Sequence, residues 1–213
     1  MKIAIDGPAA SGKTSLGQAL AREFHLRFVE TGKMYRAVAL GFERGIRLPD
    51  MDISVTDEER FLLNGEDVTE QLHTSDLDQK SSEVAVLPDV RERLVELQRK
   101  IADRHGVVME GRDIGTVVLP DADVKIFLVA TPHERALRRI QQRKSGDLGQ
   151  VEQELIVRDT RDSQRAVAPL KPAADATIIE TSQKTLKEVI SEASTLVRDL
   201  LEDVVWSAEK RNS

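Results

Sequence analysis

The chain has 213 residues, a formal net charge of −6 and no cysteine. This length suits one compact α/β unit with its own hydrophobic core. An acidic chain is a poor general binder of nucleic acid, and without cysteine neither a disulfide nor a thiolate zinc site forms. No apolar run approaches the roughly 20 residues that span a bilayer, and Asp6 and Gly7 interrupt the apolar start, which argues against a signal peptide. We expect a cytoplasmic protein with small-molecule partners, no nucleic acid and no membrane.

Short apolar segments alternate with longer segments of helical periodicity, which is typical of a parallel sheet flanked by helices. Their continuous apolar character predicts strands that are buried on both faces. The predicted strands cover residues 2–6, 27–30, 106–110, 124–128 and 176–179. The first predicted helix carries Leu16, Ala19, Leu20 and Phe24 at helical spacing, and the others cover residues 31–44, 90–102, 132–144, 151–165 and 186–201.

A glycine-rich loop follows the first strand and fits the pattern G-x-x-x-x-G-K-[ST]. Its glycines let successive backbone N–H groups point at phosphate oxygens, and the helix after it adds a positive N-terminus. Lys13 is expected to reach the β- and γ-phosphates, and the Thr14 hydroxyl to bind Mg²⁺. The alternative, a chance glycine-rich turn, is disfavoured by the strand before it and the helix after it. The residues predicted to bind ATP are Gly7, Pro8, Ala9, Ala10, Ser11, Gly12, Lys13, Thr14 and Ser15.

The alternation is interrupted from about residue 46 to residue 74, where the pattern is mixed and strand-like. The stretch "LLNGEDVT" predicts a tight turn at Asn64-Gly65. We interpret this region as a small β-containing insert rather than a separate domain.

The segment "EGRDIGTVVLPDA", residues 110–122, begins at the end of the third predicted strand, where parallel sheets gather ligand groups. Glu110 is expected to hold a water of the Mg²⁺ shell, and Arg112 and Asp113 to line the cleft. A structural turn closed by an Arg–Asp pair is the alternative.

Two arginine-rich helices come next, although the chain is acidic overall. The first carries Arg135, Arg138, Arg139 and Arg143, and the second carries Arg158, Arg161, Asp162 and Arg165. Arg158 and Asp162 suit a solvated helix face, whereas Arg161 and Arg165 repel each other four residues apart and are better explained by a facing anion. We therefore favour a functional role for the second helix, while the first is evenly balanced between an anion contact and a solvated face.

Arginines neutralise the charge that develops on a transferred phosphoryl group, and a mobile segment that carries them excludes water from the site. The turn "KSGDLG", residues 144–149, is the expected tip of such a lid. The strand 124–128 is not followed by a guanine-reading Asn-Lys-x-Asp segment, so a GTPase is poorly supported.

Six segments, in this order, resemble those of bacterial cytidylate (CMP/dCMP) kinases. They are "DGPAASGKTS", "ETGKMYRAVAL", "NGEDVT", "SSEVAVLPDVR", "EGRDIGTVVLPDADVKIFL" and "RDTRDSQRAVAPLKPAADA". The resemblance runs from Ile3 to about Leu200, and its last two segments are far more specific than the glycine-rich loop. It implies a P-loop nucleoside monophosphate kinase fold, with a five-stranded parallel sheet flanked by helices, a small β-containing insert for the monophosphate and a short lid. It also implies transfer of the ATP γ-phosphoryl group to CMP or dCMP with Mg²⁺, by an expected monomer.

The resemblance divides the chain, a single kinase unit of residues 1–213, into three functional parts. The core is expected in residues 1–30, 84–140 and 166–213. The monophosphate-binding region is expected in residues 31–83, with the insert at about 46–74, and the lid at about 141–165.

The resemblance also assigns roles to the residues of the acceptor site. Thr31, Arg36, Arg158 and Arg165 match positions on the phosphate side. Ser82 and Arg91 match positions on the cytosine and phosphate sides, and Arg112 and Asp113 match a pair near the base and the ribose. Asp162 matches an acceptor for a ribose hydroxyl, and Arg161 is expected on the ATP or lid side.

The residues expected to act in the transfer step are Lys13, Arg158, Arg161 and Asp113. Asp113 as a weak general base is a hypothesis, because positioning and electrostatics carry most of the barrier reduction in phosphoryl transfer. Three positions depart from the commoner family pattern, since Thr14-Ser15 follow Lys13, Glu30-Thr31 replace Asp-Ser and Glu110 replaces Asp. Each keeps its chemical type.

Two other functions stay open. One is a P-loop kinase for another small acceptor, such as UMP, shikimate or dephospho-coenzyme A; the other is a nucleotide-binding regulatory module without catalysis. Ser82, Arg91, Arg112 and Asp113 favour the cytidylate acceptor, and the intact Lys13, Thr14 and arginine helix disfavour a module that has lost catalysis.

Overall fold

The computed structural model describes residues 1–211, with the side chains of all of them except residue 75 and residues 203–211; the last two residues of the predicted core segment 166–213 lie outside this description. The strands and α-helices, in chain order, are β1 (Lys2–Asp6), α1 (Lys13–Glu23), β2 (Arg27–Glu30), α2 (Thr31–Glu43), β3 (Ile53–Val55), β4 (Phe61–Leu63), β5 (Glu66–Asp67), α3 (Ser75–Val84), α4 (Pro88–Arg104), β6 (Val107–Gly111), β7 (Val124–Val129), α5 (Pro132–Arg143), α6 (Leu148–Gln164), β8 (Thr177–Glu180) and α7 (Leu186–Arg211).

The main sheet has five parallel strands in the order β2-β6-β1-β7-β8. Its registers bring the carboxyl ends of neighbouring strands level, since Asp6 lies opposite Gly111 and Glu30 lies opposite Glu110. Ligand groups in open parallel sheets gather at this edge. The polar residues at the ends of β1, β2 and β6 therefore share one edge of the sheet.

Side chains of the central strand alternate between two hydrophobic clusters. Ile3 and Ile5 belong to the cluster that includes α1 and α7, whereas Ala4 belongs to the one that includes α2 and α4. This alternation is the two-residue period of a strand that is covered on both faces. Burial on both faces fixes the strand register, and with it the positions of the residues at the strand ends.

The strands β3, β4 and β5 form a small antiparallel sheet within residues 46–74. Asn64 and Gly65 connect two of them with φ of 50° and 81°, the conformation of a tight hairpin turn. Phe61 and Leu63 are buried in the same cluster as Met34 of α2. The insert therefore shares a hydrophobic core with the rest of the chain.

The five-stranded parallel sheet flanked by helices is confirmed, and each of its strands lies within one residue of its predicted bounds. The sequence did not predict α3, nor the single π-helical turn Ile114–Val118. None of the helices in the described part of the chain is long and apolar enough to cross a membrane.

Candidate active site

The glycine-rich loop curls over the carboxyl end of β1. A side chain at Gly7, whose φ is 148°, would meet the Leu128 carbonyl oxygen at 2.4 Å, and Gly12 has a φ of 100°, which L side chains rarely adopt. None of the described side chains caps the first turn of α1, which begins at Lys13. The N–H groups of that turn therefore stay available to an anion.

Lys13, Thr14 and Glu110 meet at the inner end of a polar cleft above the sheet. The buried Lys13 ammonium donates to the Pro8 carbonyl oxygen at 2.7 Å, and Thr14 Oγ1 donates to Glu110 Oε1 at 2.6 Å. Burial lowers the pKa of Lys13 and raises the pKa of Glu110, because it disfavours the charged form of each group. An anion beside Lys13, or a cation beside Glu110, would compensate this cost.

Two arginines of α5 support the loop from behind. Arg135 Nη1 donates to the Ala9 carbonyl oxygen at 3.1 Å, and Arg138 Nη1 contacts the Ser11 carbonyl oxygen at 3.4 Å. Arg138 Nη1 also donates to Thr181 Oγ1 at 2.9 Å. These residues of the first arginine-rich helix hold the loop backbone in place.

Arg91 of α4 and Asp113 also line the cleft, and they form an ion pair with side chains only 5% and 8% exposed. Arg91 Nη1 also donates to Tyr35 Oη at 3.5 Å. Burial raises the pKa of Tyr35 to about 12, so its hydroxyl stays protonated. Guanidinium donors beside a carboxylate acceptor match the polar edge of a nucleobase.

Three further pairs involve predicted acceptor residues. Arg112 Nε donates to Asp162 Oδ2 at 2.9 Å. Asp162 is therefore paired with Arg112 and not with Arg158, its predicted partner on a solvated helix face. Ser82 Oγ accepts from Arg161 Nη1 at 2.7 Å. Thr31 Oγ1 donates to the Glu110 carbonyl oxygen.

Most of the predicted residues line this cleft. They are Ala9, Ala10, Gly12, Lys13, Thr14, Ser15, Thr31, Arg36, Ser82, Arg91, Glu110, Arg112, Asp113, Arg158, Asp162 and Arg165. Four predicted residues are not among those that line it: Gly7, Pro8 and Ser11 of the loop, and Arg161, which lines a neighbouring cavity between α3, α5 and α6.

The cleft also contains residues that were not predicted as site residues, notably Asp78 and Tyr35, of which Tyr35 was expected to serve packing. Arg139, which was not assigned to the site, lines it as well. Asp78 accepts hydrogen bonds from Arg36, Arg139 and Arg158, which come from three different helices. No contiguous sequence pattern identifies Asp78 as a site residue. Its contacts join α3 to α5 and α6, which are distant in the chain, and only the three-dimensional fold brings them together.

A parallel sheet of this order, with a glycine-rich phosphate loop after β1 and a polar cleft above its carboxyl edge, defines a P-loop kinase. The chain belongs to the cytidylate kinase family, whose sequence model matches residues 3–199.

Curated relatives agree with this assignment, and a solved structure agrees with the fold. The chain is 42% identical to the cytidylate kinase of Desulfitobacterium hafniense over 95% of this chain and 94% of that one. It is 47% identical to the cytidylate kinase of Pelotomaculum thermopropionicum over 88% and 92% of the two chains. The shikimate kinase structure from Bacteroides thetaiotaomicron is similar in fold, with a TM-score of 0.50, 16% identity, and coverage of 95% of this chain and 98% of that chain.

Proposed function

We propose that this protein transfers the γ-phosphoryl group of ATP to CMP or dCMP, giving ADP and CDP or dCDP. The observation that carries the proposal is one cleft that is lined both by Lys13 of the phosphate loop and by the buried Arg91–Asp113 pair. Membership of the cytidylate kinase family supports the same reaction.

At the donor end, the backbone of residues 7–15 would surround the triphosphate, and Lys13 would neutralise its β- and γ-phosphates. The hydroxyl of Thr14 and the carboxylate of Glu110 are oxygen donors in contact, which is the chemistry that Mg²⁺ prefers. Thr14 would hold the ion directly and Glu110 through a water. When bound, Mg²⁺ supplies charge neutralisation for the phosphate oxygens.

At the acceptor end, the buried pair Arg91–Asp113 would read the base. Cytosine offers an amino group to an acceptor, and its ring nitrogen and carbonyl oxygen to donors. Asp113 would accept from the amino group, and Arg91 would donate to the ring. Uracil places a carbonyl oxygen where cytosine has its amino group, so Asp113 would repel UMP.

The pair Arg112–Asp162 would meet the ribose, with Ser82 beside the base. Thr31 and the guanidinium groups of Arg36, Arg158 and Arg165 would hold the acceptor phosphate. Their fixed positive charge would stabilise the transferred phosphoryl group without proton transfer. Asp113 as a weak base is a second, separate role that a substitution can test.

Closure of the lid would complete the site, since its helix α6 carries Arg158 and Arg161. We infer that residues 141–165 form the lid and residues 31–83 the monophosphate-binding region of a single kinase unit that acts as a monomer. Closure excludes water, which would otherwise accept the phosphoryl group and hydrolyse ATP.

The test is a coupled assay of ADP release with Mg·ATP and each of CMP, dCMP, UMP, AMP and GMP. We expect fast turnover with CMP and dCMP and little with the purine nucleotides. The Arg112→Ala variant should lose CMP binding and keep ATP binding. Absence of turnover with every nucleotide would refute the cytidylate assignment and direct attention to acceptors such as shikimate, while tight ATP binding with only slow single-turnover transfer would favour a regulatory module.

A further inference from the structure

Asp78 is a buried carboxylate at the centre of the arginine cluster, which we define as Arg36, Arg139 and Arg158. Its Oδ1 accepts from Arg36 Nη2 at 2.8 Å, and its Oδ2 accepts from Arg158 Nη1 at 2.8 Å. Arg139 Nη2 donates to the same Oδ2. The residue as a whole is only 5% exposed.

The arginine cluster has donors left over after Asp78 is bound. The Nε atoms of Arg36, Arg139 and Arg158 are all buried and have no hydrogen-bond partner among the described residues. Arg36 comes from α2, Arg139 from α5 and Arg158 from α6, and all three line the cleft together with Asp78. Guanidinium groups that converge from three helices on one carboxylate suit an anion with several oxygens.

Asp78 stays ionised in this setting. Burial alone would raise its pKa, but Arg158, Arg139 and Arg36 outweigh burial and hold the pKa of the carboxyl well below its usual range. A phosphate that reaches the same guanidinium groups therefore comes close to a fixed negative charge. Like charges at such distances repel strongly where water is excluded.

We propose that Asp78 is an internal counter-anion of the acceptor-phosphate site, which holds the arginine cluster together while no nucleotide is bound and weakens the binding of the phosphate that replaces it. The inference rests on the proposed function for the identity of the acceptor. In the free protein Asp78 offsets the mutual repulsion of three guanidinium groups. In the complex it competes for the same donors, so that the nucleoside diphosphate product leaves more readily.

A purely structural or arginine-positioning role for Asp78 predicts the opposite sign. If Asp78 only organised the arginines for phosphate, its neutralisation would weaken phosphate binding. If it competes, its neutralisation strengthens phosphate binding while the ligand-free protein becomes less stable. Stability and affinity thus change in opposite directions only for a counter-anion.

The experiment compares Asp78→Asn with the wild-type protein by calorimetric titration of inorganic phosphate, CMP and cytidine, together with thermal melts of the ligand-free proteins. We expect the Kd for inorganic phosphate and for CMP to fall by about ten-fold, the Kd for cytidine to stay the same, and the melting temperature without ligand to drop. Weaker or unchanged binding of phosphate and CMP would overturn the proposal.

Asp76→Asn is the matched control, because Asp76 lies on the same helix, is exposed and pairs with Lys80 rather than with the arginine cluster. It should leave all three Kd values unchanged. If Asp78→Asn does not fold, Asp78→Ser keeps one hydroxyl acceptor and gives the same comparison. Wild-type turnover with CMP tests the proposed function separately, since inorganic phosphate reports on Asp78 even if CMP is not the acceptor.

Discussion

The proposed donor and acceptor ends of the cleft are built in different ways. At the donor end a contiguous loop joins β1 to α1, and its glycines and backbone N–H groups form the proposed anion site. At the acceptor end the groups come from α2, α3, α4, α6 and the segment after β6, and the partners Asp78 and Arg158 lie 80 residues apart in the chain. One end depends on local backbone conformation and the other on buried ion pairs between distant segments.

The two constructions should respond differently to mutation. Removing a side chain from the donor end leaves the backbone site largely intact, so activity falls more than stability. Removing one partner of a buried ion pair leaves an uncompensated charge and lowers stability as well. Substitutions at both ends can therefore test whether activity falls more than stability at the donor end and whether both fall at the acceptor end.

The largest effect is expected from Lys13→Ala at the donor end. The loss of the positive charge at the phosphates should lower kcat with Mg·ATP and CMP by about 1,000-fold or more. Because Lys13 is buried with a lowered pKa, its removal also relieves a buried charge, and the melting temperature should stay close to that of the wild type. Lys100→Ala, at an exposed pair with Glu96, is the control. A large drop in melting temperature with Lys13→Ala would contradict the expectation that donor-end substitutions lower activity more than stability.

The elements that build the donor end leave a clearer pattern in the sequence than the helix α3 of the acceptor end, for a physical reason. A strand buried on both faces and a glycine-rich loop leave a contiguous pattern, and the bounds of β1 are predicted without error. The helix α3 leaves no such pattern, because its buried side faces the polar cleft and carries Asp78, Ser81 and Ser82. Only Leu77 and Val84 mark it as a buried helix, so a carboxylate such as Asp78 looks solvated in the sequence.

The second prediction concerns Asp6, at the end of β1, whose carboxylate accepts from the Ile114 and Gly115 N–H groups. Burial raises its pKa from 3.8 to about 6 despite these hydrogen bonds. Between those two pH values the unfolded chain releases the proton and the folded protein keeps it, so the free energy of unfolding falls as pH rises, by about 3 kcal/mol.

Asp6→Asn cannot titrate and should lack this fall. Denaturant unfolding of both proteins at pH 3 and at pH 7 measures it. The difference in unfolding free energy, variant minus wild type, should grow by about 3 kcal/mol over this interval. Parallel pH dependences of the two proteins would show that Asp6 keeps an ordinary pKa, and would place the donor end closer to a purely backbone site.

The third prediction tests the acceptor end with Arg158→Lys, which keeps the charge but loses the planar fork of donors. We expect kcat/KM with CMP to fall about 100-fold, and the melting temperature to fall too, because Asp78 loses a well-aligned partner. Arg143→Lys is the control, since Arg143 makes a half-exposed contact with Glu154 at 3.4 Å. Loss of activity without loss of stability would make this end resemble the donor end.

The smallest expected effect is also the most specific, and it concerns Asp113→Asn. The amide can donate to the uracil carbonyl as well as accept from the cytosine amino group, so the ratio of kcat/KM for CMP to that for UMP should fall about ten-fold. The variant leaves Arg91 without its carboxylate and should be less stable, but the ratio does not depend on how much protein is active. Asp103→Asn, at an exposed pair with Lys2, controls for the loss of a negative charge.

The same variant decides whether Asp113 also acts as a base. Full turnover with CMP would remove that hypothesis, because an amide takes no proton from the acceptor, whereas a loss of about 100-fold or more in kcat would support it. An unchanged CMP-to-UMP ratio would instead show that base recognition lies outside the Arg91–Asp113 pair. The acceptor end would then owe its selectivity to the shape of the closed cleft rather than to its buried charges.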